Sequence, residues 1–140
     1  MEPDSKDLKI IDELRKNSRA AVREIAKLTG IRPSTVHQRI TRLGKEGVIE
    51  RFTVKVDSKA VGEGFIVFMF VSTRKDLPAS FFQDRRIKEA FGVTGEYDLL
   101  LKMKFRDVDD FNSFVIGLRK NGEITKTITH VATVNIKEEI

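Results

Sequence analysis

The chain has no cysteine and no tryptophan, one tyrosine, and only two histidines, His37 and His130. Without cysteine there are no disulfides and no thiolate metal sites. Two histidines so far apart do not make a zinc site, so no metal is expected. The longest apolar run, Phe65 to Val71, has seven residues, far short of the ~20 that a membrane-crossing helix needs. The opening Met1-Glu2-Pro3-Asp4 is acidic and no apolar stretch follows, so no secretory leader is expected and a cytoplasmic location is. The same scarcities leave no nucleophile–base pair. Ser5, Ser18, Ser34, Ser58, Ser72, Ser80 and Ser113 lie in no elbow-like motif, and no glycine loop is built to cradle phosphate. An enzyme is therefore not expected, nor is a cofactor.

What is present is a core and an uneven charge. The 140 residues are 40% hydrophobic and 34% charged, enough apolar content for one or two small folded domains. The net charge of +5 lies wholly in residues 1–62, which carry 14 basic against 9 acidic side chains; residues 63–140 carry 12 of each. A basic module joined to a neutral one suggests that the first meets a polyanion and the second does something else.

Residues 5–16 place Leu8, Ile11 and Leu14 at helical spacing, with Ile10 widening the stripe. Asp4 or Ser5 can cap this helix and Asn17 can end it. A shorter helix runs from about Val22 to Leu28, with Val22, Ile25, Ala26 and Leu28 available to face inward. Thr29-Gly30-Ile31 breaks it. Pro33 opens a third helix, where its missing N–H costs nothing, and Val36, Ile40 and Leu43 share one face of it as far as Glu46. Ala26, Gly30 and Val36 supply a small residue at a helix crossing, a left-handed turn and an apolar lock. These are the needs of a helix-turn-helix, at its spacing. After Gly47, residues 48–57 alternate Phe52, Val54 and Val56 with polar neighbours, the pattern of a half-buried wing strand. The fold expected for residues 1–57 is thus a winged helix-turn-helix, with residues 58–63 as a linker.

In such a domain the third helix enters the major groove of DNA. Its outward face carries Ser34, Thr35, His37, Gln38 and Thr41. Gln bonds adenine at two points, and Ser and Thr bond several base edges. Arg32, Arg39, Arg42 and Lys45 flank that face and suit phosphates, as does Arg51 from the wing.

Residues 64–140 predict strand, helix, strand, strand, helix, strand. Gly64–Thr73 is apolar on both faces, and Pro78–Phe91 reads as a short amphipathic helix. Phe91–Thr94 is a brief strand and Gly95-Glu96 a tight turn. Tyr97–Phe105 forms the third strand. Asp107 caps a helix with Phe111, Phe114, Val115 and Leu118 inward, and Ile124–Ile136 closes the sheet. This βαββαβ order is ferredoxin-like, so the overall class is α+β. With both helices on one face, the other face of the sheet is open. Thr127, Thr129, Val131 and Thr133 are expected there, beside Asp98, Leu100, Lys102 and Lys104. A central strand apolar on its open side invites a second sheet, hence a dimer. An RNA-recognition motif shares this topology, but the third strand lacks its basic-Gly-aromatic pattern.

Together the halves resemble the Lrp/AsnC, or feast/famine, family of prokaryotic regulators. The matching segments are Asp7–Leu14, Ile25–Ile31, Ser34–Leu43, Glu46–Ile49 and, most specific, Val93-Thr94-Gly95-Glu96-Tyr97-Asp98. One departure is Arg32, which stands where such proteins often have a capping serine. The resemblance implies a RAM-type domain that dimerises and assembles further, to octamers, and binds palindromic or repeated sites on double-stranded DNA. It also implies an amino-acid effector near the turn, with Gly95, Glu96, Tyr97 and Asp98 as candidates and Thr127 and Thr129 as outer ones. The expected function is sequence-specific transcription regulation; the alternative is an architectural DNA-binding protein with little sequence preference and no effector.

Overall fold

A computed structural model describes residues 1–140. The chain divides into two compact units, Met1–Lys55 and Val56–Ile140.

The first unit holds three helices, α1 (Ser5–Lys16), α2 (Val22–Thr29) and α3 (Pro33–Lys45). Asp4 caps α1 through a reciprocal box: its carboxylate accepts the Asp7 N–H at 2.9 Å, and Asp7 accepts the Asp4 N–H at 3.0 Å. Gly30 ends α2 at φ +72°, the left-handed conformation that favours glycine. No side chain caps α3, consistent with Arg32 at that position. The core is Ile10, Leu14, Ile25, Ala26, Ile31 and Val36, with Ile40 and Ile49 packed against it. The inward stripe of α1 differs from the expected one: Ile10 and Leu14 are buried with Asp7, while Leu8 is exposed. Leu28 is exposed as well. A stripe has to follow the groove its neighbours offer, and α3 draws Asp7 inward with paired charges.

The wing strand does not form. Residues 50–57 pair with no strand; Ser18 Oγ donates to Thr53 O at 2.8 Å, and Phe52, Val54 and Val56 are 55%, 65% and 45% exposed. Alternation marks a chain suited to a ladder, yet a ladder needs a second strand and this unit has none.

The second unit is a four-stranded antiparallel sheet of β1 (Phe65–Thr73), β2 (Ile87–Gly92), β3 (Leu99–Phe105) and β4 (Ile124–Val131), in the order β2-β3-β1-β4. One helix, α4 (Val108–Arg119), lies on it, capped by Asp107, whose carboxylate accepts the Asp110 N–H at 2.9 Å. Val67, Met69 and Val71 of β1, Leu101, Met103 and Phe105 of β3, and Phe114 and Leu118 of α4 are buried together.

Two expected elements are corrected here. The segment expected to be a helix, residues 78–91, holds only a five-residue 3-10 turn, Ala79–Gln83, before β2 begins at Ile87. Asp84 stops it: its carboxylate accepts the Arg86 N–H at 3.0 Å, a local turn that competes with helical bonds. Pairing with β3 then claims residues 87–92. The last strand ends at Val131 rather than Ile136.

The register fixes which side chains share the open face. Phe70 pairs with Leu100 and Ile128, and Phe68 with Lys102 and His130. Because paired residues point the same way, Thr127 and Thr129, opposite Val71 and Met69, lie on the face that carries α4. The open set of β4 is Lys126, Ile128 and His130, one residue out of phase with the expectation.

Candidate functional site

Each unit offers one candidate site. In the first, α3 exposes Arg32, Ser34, His37, Gln38, Thr41, Arg42 and Lys45, and Thr35 is half-buried. The helix buries Val36 and Leu43 and half-buries Ile40, which turns this polar row away from the core. Thr41 Oγ1 donates to His37 O at 3.0 Å, leaving its methyl and oxygen lone pairs outward. Arg51 is exposed beyond the helix.

Arg39 has a different task from the one charge counting gives it. Its Nη1 reaches both Asp4 carboxylate oxygens at 2.7 Å and Asp7 Oδ1 at 3.0 Å. Asp7 is 1% exposed and also accepts from Arg42 Nη2 at 3.2 Å. The Arg39 guanidinium holds the Asp4 carboxyl down to about 2, with the Asp7 backbone N–H adding to the effect. Arg39 therefore joins the recognition helix to α1 and is not a free cation for phosphate. Arg42 keeps nearly half its side chain in solvent.

In the second unit the turn between β2 and β3 gathers several polar groups. Gly95 stands at φ +108°, a conformation other residues adopt only with strain. Glu96 is ion-paired with Lys126, whose Nζ also sits 4.9 Å from the centre of the Tyr97 ring, a cation–π distance. Tyr97 in turn leans on Phe70 at 5.7 Å. Ser72 Oγ donates to Glu96 O at 3.2 Å, and the Thr73 N–H donates to Asp98 Oδ2 at 2.8 Å. Asp98 thus braces the end of β1. Glu96 raises the pKa of Lys126 by accepting its hydrogen bond.

Gly95, Glu96, Tyr97 and Asp98 are together, as expected. Thr127 and Thr129 are not with them, since they occupy the opposite face of the sheet. Lys126 and Phe70 belong to the cluster and went unseen in the sequence; one residue's shift in the phase of β4 hides Lys126. No group of three His, Asp or Glu side chains is placed to hold a metal ion.

Comparison with known proteins places both halves. Residues 3–50 match the winged helix-turn-helix DNA-binding family, and residues 68–140 match the Lrp/AsnC ligand binding domain. An HTH-type transcriptional regulator of Pyrococcus horikoshii is 35% identical over 143 residues, covering 99% of this chain and 97% of that protein. One of Pyrococcus abyssi is 34% identical over 140 residues, covering 97% and 95%. Among solved structures, AsnC of E. coli is similar with a TM-score of 0.87 at 26% identity, covering 100% of this chain and 98% of that one. A transcriptional regulator of Neisseria meningitidis, solved as its L-Met complex, reaches a TM-score of 0.90 at 26% identity, covering 99% and 94%.

Proposed function

The chain belongs to the Lrp/AsnC family of transcriptional regulators, with a DNA-binding and a ligand-binding domain, and we propose that it recognises specific duplex sites and answers to an amino acid. The observation that carries the DNA half is the exposed polar row of α3, opposite a face locked by Val36 and Leu43 and preceded by the left-handed Gly30. Ser34, Thr35, His37, Gln38 and Thr41 read base edges; Arg32, Arg42, Lys45 and Arg51 meet phosphates. Arg39 is left to hold the helix in place. The protein acts in the cytoplasm as a homodimer joined through the open sheet faces, and dimers assemble further, toward an octamer.

The ligand half rests on the turn at Gly95 and on the L-Met complex of the Neisseria meningitidis regulator. The cluster of Glu96, Tyr97 and Lys126 offers both charges and an aromatic face to a zwitterion. Asp98 shapes the turn, and Thr127 and Thr129 drop out of the set.

The test is selection of bound genomic fragments by the purified protein, with and without a mixture of amino acids. A regulator prefers its sites over bulk DNA by roughly 10³ or more at fixed salt. A ratio near one gives the architectural reading instead. On a selected site, Gln38→Ala costs about 1–3 kcal/mol and relaxes preference at one position per half-site. Arg42→Ala weakens binding to every sequence alike and flattens the salt dependence by about one phosphate per subunit. Titrations against matched and scrambled duplexes at several salt concentrations separate the two.

A further inference from the structure

The linker expected at residues 58–63 is folded. Residues 58–62 form a turn shortly before β1. Asp57 starts it: its carboxylate accepts the Ala60 N–H at 3.1 Å, and its carbonyl accepts the Val61 N–H at 3.3 Å. The Gly62 N–H donates to Lys59 O at 3.2 Å, and the Glu63 N–H to Ser58 O at 2.7 Å. Gly62 stands at φ +75°, and a Cβ at Gly64 would lie 3.0 Å from Lys59 Cγ. Both glycines serve the turn, and neither loosens the chain.

Two side chains brace this turn against the sheet. Ser58 Oγ accepts from Lys104 Nζ of β3 at 2.8 Å. Glu63 is ion-paired with Lys88 of β2. Lys104 keeps only 12% of its side chain in solvent and is itself held by Glu138 at 3.0 Å, so it offers Ser58 a fixed donor. A hydrogen bond from an ionised group so shielded is of the stronger kind. The Glu63–Lys88 pair is about a third exposed and adds less.

The first unit, for its part, holds the chain as far as Thr53, through the bond from Ser18 Oγ. Only Val54, Lys55 and Val56 lie between that tie and the turn at Asp57, and all three are exposed. Fully extended, the stretch from Thr53 to Asp57 spans at most roughly 14 Å. A chain free from Thr53 as far as Phe65 would span roughly 40 Å. The braced turn accounts for that difference, and the joint between the units is short because Ser58 and Glu63 keep it so.

We propose that Ser58 and Glu63 are positioning residues for DNA recognition: by fastening residues 57–64 to β2 and β3 they set the reach of each helix-turn-helix, and with it the helical phase of the half-sites that one dimer accepts. The inference rests on the paired, site-specific reading proposed above. Two reading modules gain from a second half-site only where the chain between them spans the distance. Five extra base pairs move a half-site roughly 17 Å along the axis and carry it to the opposite side of the duplex. A joint of roughly 14 Å does not follow it there, whereas an unbraced one gains roughly 26 Å of reach.

The test uses full-length wild type, the double variant Ser58→Ala/Glu63→Gln, and Ser58→Thr, which keeps the accepting oxygen. Each is titrated against duplexes bearing one selected half-site, or two at the selected spacing and with five or ten added base pairs. Wild type is expected to lose at least about tenfold in affinity at five added pairs and to recover part of it at ten. The double variant is expected to lose less than about threefold at either, and Ser58→Thr to behave as wild type. Affinity for a single half-site stays equal in all three, which damage to the reading helix would not allow. A double variant with the phase dependence of wild type overturns the proposal, as does one that sedimentation equilibrium finds monomeric where wild type is paired. A Ser58→Thr that behaves as the double variant overturns the role of the hydroxyl. If no half-site can be selected, or if wild type gains nothing from a second one at any spacing, the paired, site-specific reading fails instead.

Discussion

Asp7→Ala is expected to lower the melting temperature of the N-terminal unit by roughly 10–20 °C, the shift for a loss of about 2–4 kcal/mol in so small a unit. Asp7 is the one buried charged side chain of that unit. It accepts hydrogen bonds from Arg39, from Arg42 and from the Asp4 backbone N–H. Each charge-assisted bond is worth about 1.5–3 kcal/mol where it is shielded from water. The full sum is not lost, because Arg39 retains Asp4 and the half-exposed Arg42 regains water. Alanine also leaves no acceptor to close the capping box, so α1 frays at its start.

The same substitution changes DNA binding in a direction that lost stability alone would not produce. Arg39 stays paired with Asp4, but the loss of the Asp7 carboxylate leaves the cluster of Asp4, Arg39 and Arg42 one net positive charge higher toward phosphate. Below the melting transition, the plot of log affinity against log salt for bulk DNA should steepen by about one unit per subunit. Site preference falls at the same time, because α3 loses its tie to α1. An unchanged salt slope would return Arg39 and Asp7 to a purely structural role.

Acid should act through the neighbouring carboxyl. Asp4 is held at about 2 in the folded unit against an ordinary 3.8. A carboxylate with a lowered folded pKa adds stability that is fully present above 3.8 and disappears as pH falls toward 2. The melting temperature of the N-terminal unit is therefore flat with respect to Asp4 down to about pH 4 and declines below it. In Asp4→Asn that part of the decline is absent, which melting curves between pH 2 and 5 would reveal.

The contrast between Arg39 and Gly30 shows what a sequence carries. Ala26, Gly30 and Val36 lie within eleven residues, and the turn they specify is local, so the helix-turn-helix was legible. The partners of Arg39 lie 32 and 35 residues upstream. Charge counting sees eight basic residues between residues 18 and 51 and cannot tell which are already neutralised. Sheets raise the same difficulty. The buried sets of β1 and β3 follow from alternation, but the phase of β4 depends on a pairing more than 50 residues away, with a register shift at Ser72/Thr73. In that pairing Ser72 faces Lys126, which stands with Glu96 and Tyr97, while Thr127 and Thr129 face Val71 and Met69 on the other side of the sheet. The missing helix after β1 turned on a single Asp84 carboxylate. The wing strand failed for a simpler reason: alternation describes one strand, and the unit holds no second strand to pair with it.

Phe105→Ala should unfold the C-terminal unit early while leaving the N-terminal one alone. Phe105 is fully buried, paired with Phe65 across β1 and β3, and its ring lies 5.3 Å from Phe111 and 5.5 Å from Phe114. The Arg86 guanidinium stacks over it at 5.7 Å while bonded to Asp84 and Asp110. Truncation removes the centre of that cluster and leaves a cavity beneath α4, at a cost of about 3–5 kcal/mol. Each unit has its own core, with no residue common to the two clusters. Calorimetry should then show one transition falling by roughly 15–30 °C while the other stays where it is in wild type. Between the two transitions the helix-turn-helix still binds DNA, but as single, unpaired modules. Affinity for a repeated site should drop to that for an isolated half-site, and the proposed response to amino acids should vanish with the turn at Gly95. Transitions that moved together would mean that the two cores melt as one, and the division of labour between a basic reader and a neutral sensor would have no thermodynamic basis.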